Sequence, residues 1–303
     1  MSLLVVGSVA LDSVETPFGK IDNAVGGSAM YFAIAASIYT KLNLVAVVGT
    51  DFAREHIDSL ARRGVDLSGL QIADGATFRW AGVYDYDLNI TCTLDTQLNV
   101  FANFHPKLPP GYEQSEFVFL ANIDPDLQYE VLQQTQPRLS LMDTMDFWIA
   151  SKRESLMRTI AAVDMVTMNE SEARMFAGAS SVIAAARHIL SLGPKAVIIK
   201  MGEYGAVLFT NSSYFISPAY PLEEVRDPTG AGDSFAGGFM GYLASSGDLS
   251  DQSIRRAMIH GSVVASFTVE DFSVGRLATV TPDDIAARYR EFQSFTFFES
   301  HRV

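Results

Sequence analysis

A short turn at residues 227–234, with the sequence Asp-Pro-Thr-Gly-Ala-Gly-Asp-Ser, has the composition of a site that handles a charged group. Three small residues, Gly230, Ala231 and Gly232, lead directly into the carboxylate of Asp233. The residues that follow, 234–243, predict a helix with a small face and a bulky apolar face. A glycine-rich turn at a helix start directs backbone N–H groups and the positive end of the helix dipole at one point, which suits phosphate.

The carboxylate of Asp233 admits two interpretations. It would repel a bound anion, so its presence indicates a chemical role in the site. Alternatively the turn is an ordinary acidic helix start, because Asp is a common N-cap residue and glycines form turns. The turn alone leaves both interpretations open.

The composition excludes several classes of function. Of the 303 residues 48% are apolar, enough for a substantial core, and 22 basic against 35 acidic residues give a net charge of −13. So acidic a chain is a poor candidate for binding nucleic acid or an anionic membrane through its general field. The single cysteine, Cys92, excludes an intrachain disulfide and argues against a cysteine-based metal site. No stretch approaches the roughly 20 apolar residues of a membrane span, and no basic leader precedes the first apolar run, so we expect a soluble, cytoplasmic protein.

Short apolar runs alternate with helical patterns along most of the chain, which predicts a mostly parallel sheet. After a helix at 53–63, residues 64–66 are expected to form a turn. We expect one domain over 1–303, a three-layer α/β/α fold with helices on both faces of the sheet. The predicted strands lie at 3–6, 44–48, 117–120, 139–143, 163–168, 196–199 and 206–209.

Two segments depart from this rhythm and predict a small β-sheet lid, at about 13–24 and 77–103. Residues 77–101 are dense in Thr, Tyr, Val, Trp and Ile and predict two or three antiparallel strands, with turns near 85–89 and 95–97. Residues 15–24 predict a hairpin that leaves the main body. Because an isolated small sheet has exposed edges and apolar faces, we expect a homodimer formed through the lid.

Acids and small-residue turns collect where the predicted strands end. Asp12 is expected just beyond the first strand, and the Gly26–Gly27 pair opens a helix. Asp124, Asp143 and the run 169–172 follow later strands. In open α/β sheets this edge carries the ligand crevice, so the sequence predicts a polar site there and favours a chemical role for Asp233.

Two motifs give the chain a resemblance to a known family. The first is Gly26–Gly27 opening a helix and running on to Val-Val-Gly-Thr-Asp at 47–51, and the second is the turn at 227–235. Asn-Glu-Ser-Glu at 169–172 and Gly-x-x-Gly at 202–205 occur in order between them. Over essentially its whole length the chain resembles the ribokinase-like carbohydrate kinases, the PfkB group. The absence of a G-x-x-x-x-G-K-[ST] motif excludes the P-loop class.

The resemblance implies a ribokinase-like fold and an ATP-dependent kinase that phosphorylates a hydroxymethyl group of a sugar or sugar derivative. It implies that Asp233 is the general base and that the turn Gly230, Ala231, Gly232 and Asp233 is the anion hole. It implies substrate contacts by Asp12, Gly26, Gly27 and Asp124, and nucleotide contacts by Lys200, Gly202, Gly205, Thr268 and Gly275. Glu172 and Asn169 are the implied Mg²⁺ site, partly through water, and Asp227 and Thr229 are implied ligands of K⁺.

Two departures from the family pattern bear on the substrate and on the cation site. Many sugar kinases of the family have an Asn shortly after the paired glycines, whereas residues 28–32 here are Ser-Ala-Met-Tyr-Phe, which disfavours a true ribokinase. Pro228 stands where Thr or Val is usual; it stiffens the turn and removes one N–H donor beside the implied K⁺ site. A nucleoside kinase of the same family, acting on the ribose 5′-hydroxyl, is the alternative, with the lid and the helix of Tyr31 and Phe32 enclosing the base. A catalytically silent sugar-binding regulator is the alternative from another class, and the intact Asp233 argues against it.

Overall fold

The computed structural model describes residues 1–89 and 91–297, and within those residues the chain forms thirteen strands and ten helices. The strands are β1 (Leu3–Val6), β2 (Ala10–Thr16), β3 (Gly19–Gly26), β4 (Leu42–Gly49), β5 (Val65–Ala73), β6 (Phe78–Tyr84), β7 (Thr91–Gln97), β8 (Phe117–Leu120), β9 (Leu139–Met142), β10 (Met165–Asn169), β11 (Ala196–Lys200), β12 (Ala206–Thr210) and β13 (Tyr214–Ser217). The helices are α1 (Ser28–Ser37), α2 (Arg54–Arg62), α3 (Pro125–Gln133), α4 (Asp146–Ser151), α5 (Arg153–Ala162), α6 (Glu170–Ala177), α7 (Val182–Leu190), α8 (Ala231–Ser246), α9 (Asp251–Thr268) and α10 (Pro282–Thr296).

The main sheet has nine strands in the order β13-β12-β11-β10-β9-β8-β1-β4-β5. Its strands run parallel from β5 to β11, and β12 and β13 continue it antiparallel. All four residues of β1 and all four of β8 are buried, because helices cover both faces of the sheet. The carboxyl ends of the parallel strands therefore share one edge, where their following loops meet.

Alternate residues of the central strands pack into two separate hydrophobic cores, one on each face of the main sheet. Leu3 and Val5 pack into the core formed with α1, α2, α8, α9 and α10. Leu4 and Val6 pack into the core formed with α3 to α7. On the first side Phe32 of α1 stacks on Phe119 of β8, with ring centroids 4.4 Å apart. These layers confirm the predicted α/β/α fold class.

A second sheet of four strands, in the order β3-β2-β6-β7, forms the lid. Only three residues separate β1 from β2, so Asp12 lies within a lid strand and not simply beyond the first strand. β6 ends at Tyr84, at the turn predicted near 85–89, whereas the turn predicted at 95–97 is wrong because those residues belong to β7. None of the helices in the described ranges is both long and apolar enough to cross a membrane.

Candidate active site

The turn that precedes α8 depends on the backbone of Gly230. This residue is the N-cap of α8 and has φ 75° and ψ 0°, a left-handed conformation that glycine adopts without strain. A Cβ at this position would also overlap the ring of Tyr31, which lies beneath the turn. The N–H of Ala231 donates to the carbonyl of Pro228 at 3.2 Å. Gly232 and Asp233 follow in the first helical turn, where N–H groups have no intrahelical acceptor and can bind an anion.

Asp233 carries its carboxyl group at this helix start. Burial raises its pKa to about 7; the nearby charge of Asp143 adds to the rise, and Lys200 opposes it. A carboxylate whose pKa lies near neutrality can accept a proton at neutral pH, which suits a general base.

Lys200 and Asp143 form a buried ion pair beside this helix start. Lys200 ends β11, and its Nζ lies 2.7 Å from Oδ2 of Asp143, which directly follows β9. A Cβ on Gly232 would lie 2.7 Å from the same Nζ, so the ammonium group contacts the first turn of α8. Burial alone would lower the pKa of Lys200, but the charges of Asp143 and Glu172 raise it overall. The sequence predicts Asp143 at a strand end but assigns it no role. The ion pair of Asp143 with Lys200 is visible only in the fold.

Asn169 and Glu172 hold each other at the start of α6. Oδ1 of Asn169 accepts the N–H of Glu172 at 2.8 Å, and Oε2 of Glu172 accepts the N–H of Asn169 at 2.7 Å, a capping box. Burial and the charge of Asp143 raise the pKa of Glu172 to about 8, against the opposing Lys200. Three carboxyl groups, those of Asp143, Glu172 and Asp233, thus lie near the ammonium group of Lys200. Oxygen donors with surplus negative charge fit a hydrated divalent cation.

Asp12 and the paired glycines meet where the lid joins the main body. Oδ2 of Asp12 accepts the N–H of Gly27 at 3.3 Å. Gly26 lies so close to this carboxylate that a Cβ on it would overlap the side chain of Asp12. Burial raises the pKa of Asp12 to about 7; the Gly27 N–H opposes the rise, and the charges of Asp227 and Asp233 add to it. Asp12 therefore belongs to the same electrostatic group as Asp233.

Asp227 and Thr229 tie the turn to two neighbouring segments. Oδ1 of Asp227 accepts the N–H of Thr229 at 2.9 Å, and Oδ2 accepts the N–H of Ser273 at 3.2 Å. The hydroxyl groups of Thr229 and Tyr84 lie 3.2 Å apart. Because Tyr84 ends the lid strand β6, this bond fastens the lid to the turn.

The tip of the lid reaches the segment that connects β11 to β12. Gly202 begins a single 3₁₀ turn there, Gly202–Tyr204, and Gly205 ends it. A Cβ on Gly202 would overlap the side chain of Asn89, which belongs to the loop after β6. The lid therefore extends from Asp12 to the turn beside Lys200.

Three predicted site residues have other contacts. Asp124 is the N-cap of α3: Oδ1 accepts the N–H of Asp126 at 3.0 Å, and Oδ2 lies 2.6 Å from Nζ of Lys152. Thr268 is the buried last residue of α9, and its hydroxyl donates to the carbonyl of Val264 at 3.4 Å. Gly275 lies in the loop whose Ser273 donates its N–H to Asp227. The N–H of Gly275 donates to the carbonyl of Phe272 at 3.2 Å.

Comparison with known proteins identifies the family of the chain. A family profile described as pfkB family carbohydrate kinase matches residues 3–279. A cytidine kinase of Thermococcus kodakarensis is 32% identical over 249 residues, which span 80% of this chain and 88% of the relative. A nucleoside kinase of Methanothermobacter thermautotrophicus is 28% identical over 293 residues, 89% of each chain.

A solved structure shows the same fold. The nucleoside kinase of Burkholderia thailandensis in complex with inosine matches with a TM-score of 0.78 and 19% identity, covering 97% of this chain and 98% of its own. The resemblance expected from the two sequence motifs is confirmed by the profile and the relatives. The chain therefore belongs to the pfkB family of carbohydrate kinases, and it is a phosphotransferase whose acceptor is an alcohol group.

Proposed function

We propose that this kinase transfers the γ-phosphoryl group of ATP to the 5′-hydroxyl of a nucleoside. The observation that carries the proposal is the 32% identity to a cytidine kinase over 80% of the chain. The sequence agrees, because residues 28–32 lack the Asn with which many sugar kinases of the family contact the sugar. A sugar with a hydroxymethyl group is the second candidate acceptor, favoured by the polar pair of Asp12 and the Gly27 N–H, which suits any polyol.

In this proposal Asp233 removes the proton of the attacking hydroxyl group. Asp12 and the backbone at Gly26 and Gly27 bind the other substrate hydroxyls. Asp124 contacts the substrate only if its ion pair with Lys152 breaks. The free N–H groups at the start of α8 and the ammonium of Lys200 stabilise the charge of the phosphoryl group in transfer. Positioning and electrostatic stabilisation of this kind supply most of the rate in phosphoryl transfer.

The same proposal assigns the ATP and metal sites. Lys200 and the turn from Gly202 to Gly205 bind the phosphates and ribose of ATP, and the segments of Thr268 and Gly275 adjoin the adenine. Glu172 and Asn169 hold Mg²⁺ partly through water. When bound, Mg²⁺ neutralises phosphate charge.

Asp227 and Thr229 are the proposed K⁺ site. The buried carboxylate of Asp227 lies directly before the anion-binding turn, and a monovalent cation there would balance its charge. Replacing K⁺ by Na⁺ or by tetramethylammonium in the assay tests this assignment, with a fall in kcat expected and an unchanged kcat contradicting it.

A second copy of the chain is the proposed partner of the lid. β7 is an edge strand, and all seven of its residues are exposed, Leu94 to 64%. Such an edge presents unpaired backbone groups that another strand can cover. Light scattering at micromolar concentration tests the homodimer, and a monomer would contradict it. An enzyme that uses ATP also fits the proposed cytoplasmic location.

A substrate panel tests the proposed function. Cytidine, uridine, adenosine, inosine and guanosine are compared with ribose, fructose and 2-dehydro-3-deoxygluconate by release of ADP, and the product is identified by ³¹P NMR. We expect turnover of at least one nucleoside and a 5′-monophosphate product. Turnover of sugars alone would overturn the proposal.

The variant Asp233→Asn provides the mechanistic control. Loss of a general base costs on the order of 10² to 10⁴-fold in rate, so kcat with the best acceptor should fall by that factor. Unchanged release of ADP would contradict the role of Asp233. Binding without turnover of any acceptor by the unchanged protein would instead favour the silent regulator.

A further inference from the structure

Trp80 lies on the inner face of the lid beside the residue proposed to bind the substrate hydroxyls. β2 and β6 pair in parallel, and Trp80 is the register partner of Asp12. Residues in register on neighbouring strands point to the same side of a sheet. Tyr84, four residues further along β6, shares this face, and its hydroxyl lies 3.2 Å from that of Thr229. Trp80, Asp12 and Tyr84 therefore all face the turn that carries Asp233.

The indole ring of Trp80 lies along its strand. The next residue on the same face is Gly82, and a Cβ there would overlap two atoms of the six-membered ring of Trp80 and closely approach a third. The indole N–H donates to Oγ1 of Thr93 on the neighbouring strand β7 at 3.3 Å. Gly82 thus provides the space for the ring, and Thr93 fixes its orientation. The six-membered ring of the indole therefore lies against the strand at Gly82, on the same face as Asp12.

We propose that the indole ring of Trp80 stacks on the nucleobase of the substrate. The inference rests on the proposed nucleoside kinase activity and names the residue that selects nucleosides over sugars. Asp12 binds the ribose hydroxyls, and the neighbouring indole accepts the planar ring attached to that ribose. Stacking on an aromatic side chain tolerates any base, since every base has a π face. Trp80 therefore recognises a nucleobase as a class.

Fluorescence provides a direct test that needs no turnover. The chain has two tryptophans, and the variant Trp148→Phe leaves Trp80 as the sole indole fluorophore. Excited at the red edge of its absorption, this variant should be quenched on titration with cytidine or inosine in the absence of ATP. Ribose, which has no aromatic ring, is the matched ligand control and should produce little quenching. Equal responses to ribose and to the nucleosides would overturn the stacking.

Kinetic variants test the same contact independently. Trp80→Ala should raise KM for the nucleoside by on the order of 10-fold, as expected for loss of base–aromatic stacking. Trp80→Phe should recover part of that loss, and Gly82→Val should mimic Trp80→Ala because its side chain displaces the ring. KM for ATP should stay unchanged in all three variants. Tyr86→Ala, which alters an exposed aromatic residue of the same lid, is the control and should leave KM as it is.

The outcomes separate the stacking from the proposed function. If the unchanged protein phosphorylates nucleosides but Trp80→Ala leaves their KM unaltered, the stacking is wrong and the nucleoside kinase stands. If Trp80→Ala raises KM for ribose as much as for nucleosides, Trp80 supports the lid without recognising a base, and the stacking is again wrong. Turnover of sugars with none of nucleosides overturns the proposed function together with the stacking.

Discussion

The ammonium group of Lys200 lies 2.7 Å from the carboxylate of Asp143 and against the first turn of α8. The two residues are 57 positions apart in the sequence. Asp143 directly follows β9 and Lys200 is the last residue of β11, and these two parallel strands end at the same edge of the sheet. Lys200 thereby brings positive charge into a group of carboxylates that also includes Glu172 and Asp233. This pair links the proposed metal site to the proposed base.

The first prediction concerns the stability of this pair. The side chains of Lys200 and Asp143 are only 17% and 6% exposed, so removing one partner leaves a buried charge without its counterion. Lys200→Met should lower the free energy of unfolding by about 3 kcal/mol, as expected when one partner of a buried ion pair is removed. Urea unfolding measures the change. In a double-mutant cycle, Lys200→Met with Asp143→Asn should cost less than the sum of the single variants. Additive losses would show that the two charges do not stabilise each other.

The second prediction separates backbone strain from a steric clash at the anion-binding turn. Gly230 and Gly178 are both left-handed caps, with φ 75° and 62°, but only Gly230 faces a side chain, the ring of Tyr31. Gly178→Ala should cost about 1 kcal/mol of stability and leave kcat/KM unchanged. Gly230→Ala should cost more and also lower kcat/KM, because the ring displaces the turn. Thermal unfolding and steady-state kinetics measure both effects. Equal losses in stability and activity for the two variants would refute the role given to Tyr31.

The third prediction concerns the bond between the lid and the turn. Tyr84→Phe removes the hydroxyl that lies 3.2 Å from the hydroxyl of Thr229. A net hydrogen bond is worth about 0.5–1.5 kcal/mol, so KM for the acceptor should rise roughly two- to tenfold while the melting temperature barely changes. The control is Tyr86→Phe, because Tyr86 lies in the same lid with its side chain 84% exposed. An unaltered KM in Tyr84→Phe would mean that this bond does not hold the lid closed over substrate.

Features that depend on local sequence could be predicted without the structure. The run Leu3–Val6 is apolar throughout because both faces of its strand are covered, and it indeed forms β1. The Asn169 and Glu172 spacing encodes a capping box within one helical turn. The helix predicted at 234–243 is present, but α8 is longer and spans Ala231–Ser246, so two of the small residues of the turn belong to it. The catalytic role of Asp233 stays a prediction.

Features that depend on distant pairing could not be predicted. The expected turn at 64–66 holds only for Gly64, since Val65–Ala73 forms β5, the edge of the main sheet. This strand mixes exposed and buried residues, so it lacks the apolar run that marks a central strand. The lid position of Asp12 likewise requires the register with Trp80, which connects segments 68 residues apart. Pairing between distant segments determines where β5 and Asp12 lie, so a local sequence pattern does not predict their positions.

The fourth prediction concerns the pH dependence of stability. His260 of α9 lies between the rings of Tyr242 and Tyr289, at centroid distances of 4.3 and 4.7 Å, and its Nδ1 lies 3.1 Å from the hydroxyl of Tyr39. Burial lowers the pKa of His260 to about 4, whereas the ordinary pKa of a histidine side chain is 6.5. Between these two pH values the unfolded chain binds one more proton than the folded chain at this site. The contribution of His260 to stability is therefore fully present above about pH 6.5 and is lost as the pH falls toward 4.

The slope of stability against pH measures this effect. For one proton it approaches about 1.4 kcal/mol per pH unit within that window. His260→Phe keeps an aromatic ring between Tyr242 and Tyr289 but cannot take up a proton, so urea unfolding at several pH values should show a flatter slope by up to that amount. His105→Gln, a change at an exposed histidine, is the matched control and should keep the slope of the unchanged protein. The same slope in His260→Phe and in the unchanged protein would show that His260 is not the source of the acid sensitivity.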